Sequence, residues 1–326
     1  MTAASPPPVR WGFVGAGFVA TRALAPAVHA GSQAVLQAAA ARDRHRADAL
    51  EPVGFSSADY RHVIAHDDVD VVYISLTNDL HLEWILEALD SGKHVVCEKP
   101  LAVNAAQARI AFDAALAADR LLVEAAWNQW HPRTRRLDAM IDEGVLGDIR
   151  TITAEFTFDG VPAGNYRLDA TKGGGALLDV GPYVVRPLVK WGGTSWVPGE
   201  AERVVNDDAT DIRTRAVLLA AEGASAQIVA SFMDPEHQQL RLETESAQVT
   251  LSQPAFTSWR EPSSLEVREG KRLWSESFVT CDAYEIMVDE VSRRVLGDSD
   301  AFVVTAQETL GCLHVMDLIA STVGPS

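Results

Sequence analysis

Residues 9–20 read VRWGFVGAGFVA. Val9 to Val14 is a short, mainly apolar run. It ends in Gly15-Ala16-Gly17-Phe18-Val19-Ala20, and a helical pattern follows from about Ala20 to His29. A strand, a G-x-G-x-x-A turn and a helix make up the dinucleotide-binding fingerprint. Gly15 allows the tight turn, Gly17 lets the backbone approach a pyrophosphate, and Ala20 keeps the helix close to the sheet. The N–H groups of Phe18 and Val19, where the helix opens, are donors for an anion.

One such turn is weak evidence, and the pattern around it gives it weight. Ala34 to Ala41 and Val69 to Ser75 (VDVVYIS) read as strands, and an amphipathic helix follows from about Leu82 to Leu89. Gly92 ends that helix as a C-cap. Val95 to Cys97 is the next strand, a helix runs from about Asn104 to Ala118, and Leu121 to Ala125 is one more strand. The order βαβαβαβαβ predicts a doubly wound parallel sheet, an α/β Rossmann domain over residues 9–126.

The end of the second strand bears on the cofactor. Sites for NAD usually carry an acid there that pairs with the ribose hydroxyls. Here the chain reads Ala41-Arg42-Asp43-Arg44-His45-Arg46. Arg42 can stack on an adenine and pair with a 2′-phosphate, with Arg46 one helical turn on. That favours NADP(H). The plainer alternative is a solvated Arg42 and an Asp43 that only caps the next helix.

Residues 95–101 read VVCEKPL, and polarity flips abruptly at Glu98 and Lys99 before Pro100. A lysine at the carboxyl end of a parallel strand sits where open α/β sheets bind ligands. An X-Pro bond is cis at modest cost, which suits a tight turn.

After Trp127 the pattern changes. Residues 132–143 read as a helix, and 149–158 as an alternating strand. Strands are expected over 209–219, 224–232, 238–244, 248–251, 264–267 and 271–277, successive and antiparallel. Helices close the chain over 283–296 and 306–321. We expect a second domain, α+β, over residues 127–326. Within it lies Gly173-Gly174-Gly175-Ala176-Leu177-Leu178-Asp179-Val180-Gly181-Pro182-Tyr183. Three glycines suit a backbone that must approach something closely, such as a nicotinamide or a substrate. Asp179 and Tyr183, four apart at the start of a predicted helix, would share one helical face.

The 326 residues carry a formal charge of −17, which disfavours a nucleic-acid partner. No stretch approaches the roughly 18 apolar residues of a membrane helix. Residues 1–8, with Pro6 to Pro8, read as a disordered tail with no signal-peptide character. Three widely spaced cysteines suit reduced thiols in a cytoplasm. The nine histidines show no metal-ligand spacing.

With GAGFVA, CEKPL and GGGALLDVGPY in that order, the chain resembles the glucose–fructose oxidoreductase and inositol dehydrogenase family over nearly its whole length. The resemblance implies a Rossmann domain and a C-terminal domain on a large, mainly antiparallel sheet, whose outer face carries a dimer or tetramer interface. It implies that Glu98 and Lys99 lie by the nicotinamide and that Asp179 and Tyr183 face the substrate. A T-P-N-x-x-H loop of the family reads Leu76-Thr77-Asn78-Asp79-Leu80-His81 here. Leu76, Asn78 and His81 are therefore expected at the cofactor, although the threonine and proline do not match. Many members have histidine in place of Tyr183. Tyrosine there, with EAAWNQWHPR (124–133) and Tyr166-Arg167, looks most like the keto-sugar reductases of antibiotic deoxysugar pathways. Trp127, His131, Tyr166 and Arg167 are then expected to line the substrate pocket, with Arg167 able to meet a nucleotide diphosphate.

The expected chemistry is hydride transfer between nicotinamide and a sugar carbonyl or hydroxyl. Tyr183 is the general acid for reduction, Lys99 polarises the carbonyl, and Asp179 orients Lys99 or binds a hydroxyl. Two alternatives remain open at this point: a dehydrogenase of free pentoses, aldoses or trans-dihydrodiols, and a dinucleotide-binding sensor without turnover.

Overall fold

The computed structural model describes residues 6–193, 195–221 and 223–322. The expected tail lies outside the described residues over 1–5. Pro6 to Pro8 are exposed and carry no regular structure. The chain divides into two compact units. The first takes residues 1–102, 106–130 and 282–306, and the second takes 103–105, 131–281 and 307–326.

In the first unit, β1 (Val9–Val14) leads through the glycine turn into a wide helical turn, Ala20–Leu24, and then α1 (Ala25–Ala30). The helical pattern was expected to be regular. Pro26 explains the widening, because it lacks an N–H and its ring collides with the carbonyl four residues back. The chain continues with β2 (Ala34–Ala40), α2 (Arg44–Asp48), β3 (Phe55–Ser57), α3 (Tyr60–Ile64), β4 (Val71–Ile74), α4 (His81–Asp90), β5 (His94–Cys97), α5 (Ala105–Ala117) and β6 (Leu122–Glu124). All six strands are parallel, in the order β3-β2-β1-β4-β5-β6. Five strands were expected. The edge strand β3 is three residues long and mostly polar, too short to carry a period. β4 is buried at every position, as a parallel strand covered on both faces must be. The order reverses between β1 and β4, and the glycine turn leaves β1 at that switch point.

The second unit begins with α6 (Pro132–Asp142) and β7 (Ile149–Thr157), and continues with α7 (Ala176–Asp179), α8 (Gly181–Gly192), β8 (Trp196–Val205), β9 (Asp211–Ala220), β10 (Ser225–Ser231), β11 (His237–Thr244), β12 (Gln248–Leu251), β13 (Ser263–Glu269) and β14 (Arg272–Phe278). These make an eight-stranded sheet in the order β14-β13-β12-β11-β7-β10-β9-β8. β7 sits between β10 and β11 and runs parallel to β10, so the strands after residue 208 are not one unbroken antiparallel meander. β8 was not expected from sequence. α8 packs against β7 and β10, and β9 alternates strictly, with Thr214, Ala216 and Leu218 buried and Arg215, Val217 and Leu219 exposed. The chain ends with α9 (Ala283–Val295) and α10 (Ala306–Thr322). A single division at residue 126 is therefore corrected: α9 belongs to the first unit, where the Trp11 indole donates to Ser292 Oγ at 3.2 Å. Among the described residues, no helix is long and apolar enough to cross a membrane.

Candidate active site

The first unit holds the dinucleotide elements. Gly15 has φ +100°, and a Cβ there would overlap the Ser75 carbonyl at the end of β4. Gly15 is thus required by the neighbouring strand as well as by the turn. At Gly17 a Cβ would stand 3.3 Å from Ser75 Oγ, so this glycine keeps the loop surface low. Phe18 is 77% exposed, Val19 is half-buried, and Leu76 packs over the Gly15 turn.

The end of β2 fits a dinucleotide with a 2′-phosphate. Ala41 is buried and small. Asp43 accepts the His45 N–H at 3.1 Å as the N-cap of α2, so its carboxylate is already engaged. Arg42 is exposed, with no hydrogen bond or ion pair among the described residues. Arg46 instead donates to the Ala16 carbonyl at 2.5 Å and braces the glycine turn from behind.

The Lys99-Pro100 turn is held from three sides. The Lys99–Pro100 bond is cis. The Tyr73 hydroxyl donates to Glu98 Oε1 at 2.7 Å, and the Lys99 N–H lies 3.3 Å from Glu98 Oε2. The Leu101 N–H donates to Glu124 Oε1 at 3.1 Å. Burial pushes the Glu98 carboxyl above its ordinary range, against the pull of Tyr73 and Lys99. His81 is fully buried, with Nδ1 2.9 Å from the Pro100 carbonyl and Nε2 3.3 Å from that of Leu76. Burial lowers its pKa. A neutral ring can donate to one carbonyl, and the shorter contact is to Pro100. His81 thus ties the loop after β4 to the lysine turn. Asn78 is buried beside it in sequence. Tyr73 and Glu124 were missed from sequence. The signal for Glu124 was a carboxylate closing the apolar strand β6.

Trp127 is buried and stacks on Tyr284 at 4.8 Å. A cleft of about 670 Å³ in this unit opens at the amino ends of the strands, among Arg10, Asp70, Lys93 and Arg120. Its cations are already engaged: Arg10 with Asp70, Lys93 with the carbonyls of His66 and Val69, Arg120 with that of Gly92. Those contacts cap strand and helix ends.

The second unit holds the phenol. Tyr183 lies in the first turn of α8, 8% exposed, its ring 5.3 Å from that of Phe156 and 6.1 Å from that of Phe256. Asp179 ends α7, and Val180 breaks the helix before α8 begins. The single helical face expected for Asp179 and Tyr183 is therefore corrected. Gly181-Pro182 forces a fresh start, since proline belongs in a helix's first turn. The glycine run also has a different partner from the one expected. A Cβ on Gly174 would lie within 2.7 Å of the Arg167 and Asp169 carbonyls, and one on Gly175 (φ +123°) would overlap Asp211 Oδ1. The run packs α7 against the turn that carries Tyr166 and Arg167. Asp211, from β9, accepts the Leu177 N–H at 2.8 Å and so caps α7. Burial raises the Asp211 pKa. Asp211 had no sequence signal, because its partner lies across the fold.

Arg167 Nε donates to Asp179 Oδ2 at 2.7 Å, and its guanidinium lies 5.2 Å from the Tyr166 ring. His131 caps α6, with Nδ1 accepting the Arg133 N–H at 3.0 Å. Burial, with Arg133 beside it, holds the imidazole down to about 4, so it is neutral near pH 7 with its proton on Nε2.

Residues 9–125 match the model of an oxidoreductase family with an NAD-binding Rossmann fold, and residues 134–250 match the GFO/IDH/MocA C-terminal domain. The chain is 32% identical over 319 residues, 95% of each chain, to a D-xylose 1-dehydrogenase (NADP(+)) of Haloferax volcanii. It is 37% identical over 224 residues, 68% of each chain, to a dTDP-3,4-didehydro-2,6-dideoxy-alpha-D-glucose 3-reductase of Actinomadura kijaniata. Its fold matches the crystal structure of KijD10, a 3-ketoreductase from Actinomadura kijaniata in complex with NADP and TDP-benzene. That match has a TM-score of 0.88 and 28% identity, and covers 96% of this chain and 97% of the other.

Proposed function

The chain belongs to the GFO/IDH/MocA family of oxidoreductases, and from that premise we propose that it is an NADP(H)-dependent ketoreductase of a nucleotide-activated sugar. The observation that carries this reading is the phenol of Tyr183 in the first turn of α8, four residues after the Asp179 that pairs with Arg167. The likeness to a dTDP-keto-sugar 3-reductase supports the substrate class. For NADP(H), the support is the exposed Arg42 together with an Asp43 already engaged as a cap.

Gly15, Gly17, Phe18 and Val19 would hold the pyrophosphate with backbone N–H groups, and Arg42 the 2′-phosphate. Leu76, Asn78, Glu98 and Lys99 would flank the nicotinamide end. When bound, the reduced cofactor supplies a hydride to the sugar's carbonyl carbon. Lys99 polarises the carbonyl oxygen and stabilises the negative charge that develops there. Tyr183 gives its phenolic proton to that oxygen. Neighbouring cations favour the phenolate left behind and so make the phenol a better acid. In the oxidative direction the same groups run in reverse. Trp127, His131 and Tyr166 would border the sugar. The open face of the large sheet, with Val217 and Leu219 on β9, is the proposed homo-oligomer interface.

A second reading, oxidation of a free aldose such as D-xylose, is favoured by the match along 95% of both chains to the Haloferax enzyme. The test is a panel: dTDP-linked keto sugars with NADPH, against D-xylose, other free aldoses and trans-dihydrodiols with NADP⁺. Higher kcat/KM on the nucleotide-linked substrates is the expected result. Turnover of free aldoses alone would replace this reading with the second one.

A further inference from the structure

Arg167 looks at first like a free arm for a substrate diphosphate. Its surroundings point elsewhere. Its Nε is bonded to Asp179 Oδ2 at 2.7 Å, with the Asp179 side chain only 8% exposed and that of Arg167 33%. The turn that carries it is lashed to α7 by backbone contacts: the Gly174 N–H donates to the Asp169 carbonyl at 3.0 Å, and the Gly175 N–H to that of Arg167 itself at 2.9 Å. The collisions a Cβ would meet at Gly174 and Gly175 leave that junction no slack. Asp211 fixes the other end of α7 through Leu177. The Asp179 carboxylate is therefore pinned from both directions, a few residues before Tyr183.

A buried carboxylate within electrostatic reach of a phenol opposes loss of the phenolic proton, because the two would then carry like charges. Arg167 cancels that opposition. Burial alone would lower the Arg167 pKa; its pairing with Asp179, and its nearness to Tyr166 and Tyr183, raise it instead. The guanidinium thus stays charged within electrostatic reach of the Tyr183 oxygen.

We propose that Arg167 is a positioning residue of the reaction and not a contact to the substrate's diphosphate: clamped to Asp179 and within electrostatic reach of Tyr183, it eases release of the phenolic proton. The inference rests on the reading of Tyr183 as the proton donor, so its test includes a readout independent of turnover. Tyrosinate absorbance is titrated in the full-length protein with NADP⁺ bound. The signal of Tyr183 is the difference between wild type and Tyr183→Phe.

In Arg167→Met the Tyr183 midpoint should rise by about one unit or more, and Arg167→Lys, which restores the cation, should bring it back toward wild type. Should the methionine variant fail to fold, Arg167→Gln keeps a donor for Asp179 without the charge and should show the same rise. On a dTDP-linked keto sugar, Arg167→Met should lower kcat and leave KM close to wild type. An unchanged Tyr183 midpoint in the uncharged variants would overturn the proposal. A large rise in KM at constant kcat would also overturn it and return Arg167 to the diphosphate. If Tyr183→Phe keeps full turnover, the reading of Tyr183 as proton donor fails and the role of Arg167 in the reaction falls with it; an inactive Tyr183→Phe with an unchanged midpoint in the Arg167 variants overturns the Arg167 proposal alone.

Discussion

The Tyr73 hydroxyl donates to Glu98 Oε1 at 2.7 Å, with the tyrosine fully buried and the glutamate 8% exposed. Tyr73 lies on β4, and Glu98 follows β5, the adjacent strand, so the bond crosses the sheet at the base of the Lys99 turn. Burial raises the Glu98 pKa, and burial followed by the nearby Glu98 raises that of Tyr73 well above its ordinary value. The pair is best satisfied as a phenol donating to a carboxyl group.

Stability should report that burial. A carboxyl whose native pKa is raised binds protons more readily in the folded state. Stability therefore falls as pH rises from the ordinary glutamate value of about 4.3 through the raised native value, and then levels off. Glu98→Gln removes the charge and keeps an acceptor for Tyr73. Its melting temperature without cofactor should exceed wild type at neutral pH and converge with it in acid. A variant less stable than wild type at neutral pH would count against the burial argument.

Cofactor choice should follow Arg42. Arg42→Ala should weaken NADPH binding by about 1.5–3 kcal/mol, the loss of a charged hydrogen bond, and leave NADH nearly unchanged. Dissociation constants measured for both cofactors check this. A wild type that prefers NADH would refute the assignment.

Catalysis should depend on Lys99 and Tyr183 together. Tyr183→Phe keeps the ring against Phe156 and Phe256 and should cost about 10²–10⁴ in kcat. Lys99→Ala should cost a similar factor or more. Because both act on one oxygen in the proposed reaction, the double variant should lose less than the product of the single losses. Full additivity would mean the two groups serve separate steps.

The glycine run should be intolerant of side chains. Gly175→Ala places a Cβ against Asp211 Oδ1 at φ +123°. Such strain costs of order 1–3 kcal/mol before any clash is counted. The melting temperature should drop and activity with it. Gly193→Ala, also at positive φ but with open space around its Cβ, should lose less.

The open sheet face should carry self-association. Replacing Leu219, 55% exposed on β9, by lysine should shift the protein toward monomer in sedimentation at micromolar concentration, with its fold intact by circular dichroism. A wild type that sediments only as monomer would remove the interface.

The parallel sheet and its glycine turn could be read from the chain alone because each depends on neighbours within a few residues. β1, β2, β4, β5 and β6 announce themselves as apolar runs, and Gly15-Ala16-Gly17 as the turn between a strand and a helix. Gly181-Pro182 marks the helix break before Tyr183 just as locally, yet the spacing of Asp179 and Tyr183 was read as a single helical face. The short, polar β3 fell below the length at which a period can be seen.

Tertiary structure alone decided what each candidate side chain touches. Arg46 and Arg42 look alike in sequence, yet one braces the Ala16 carbonyl and the other stands exposed. His81 matches a loop motif and turns out to pin Pro100. Glu124 meets Leu101 across 23 residues, and Asp211 meets Leu177 across 34. Such partners are chosen by how strands and helices pack, and a one-residue change in register would substitute different ones. Sequence periodicity records which face of an element is buried. It does not record which donor from another element arrives there, and that pairing decides what Glu98, Asp179 and Arg167 each touch.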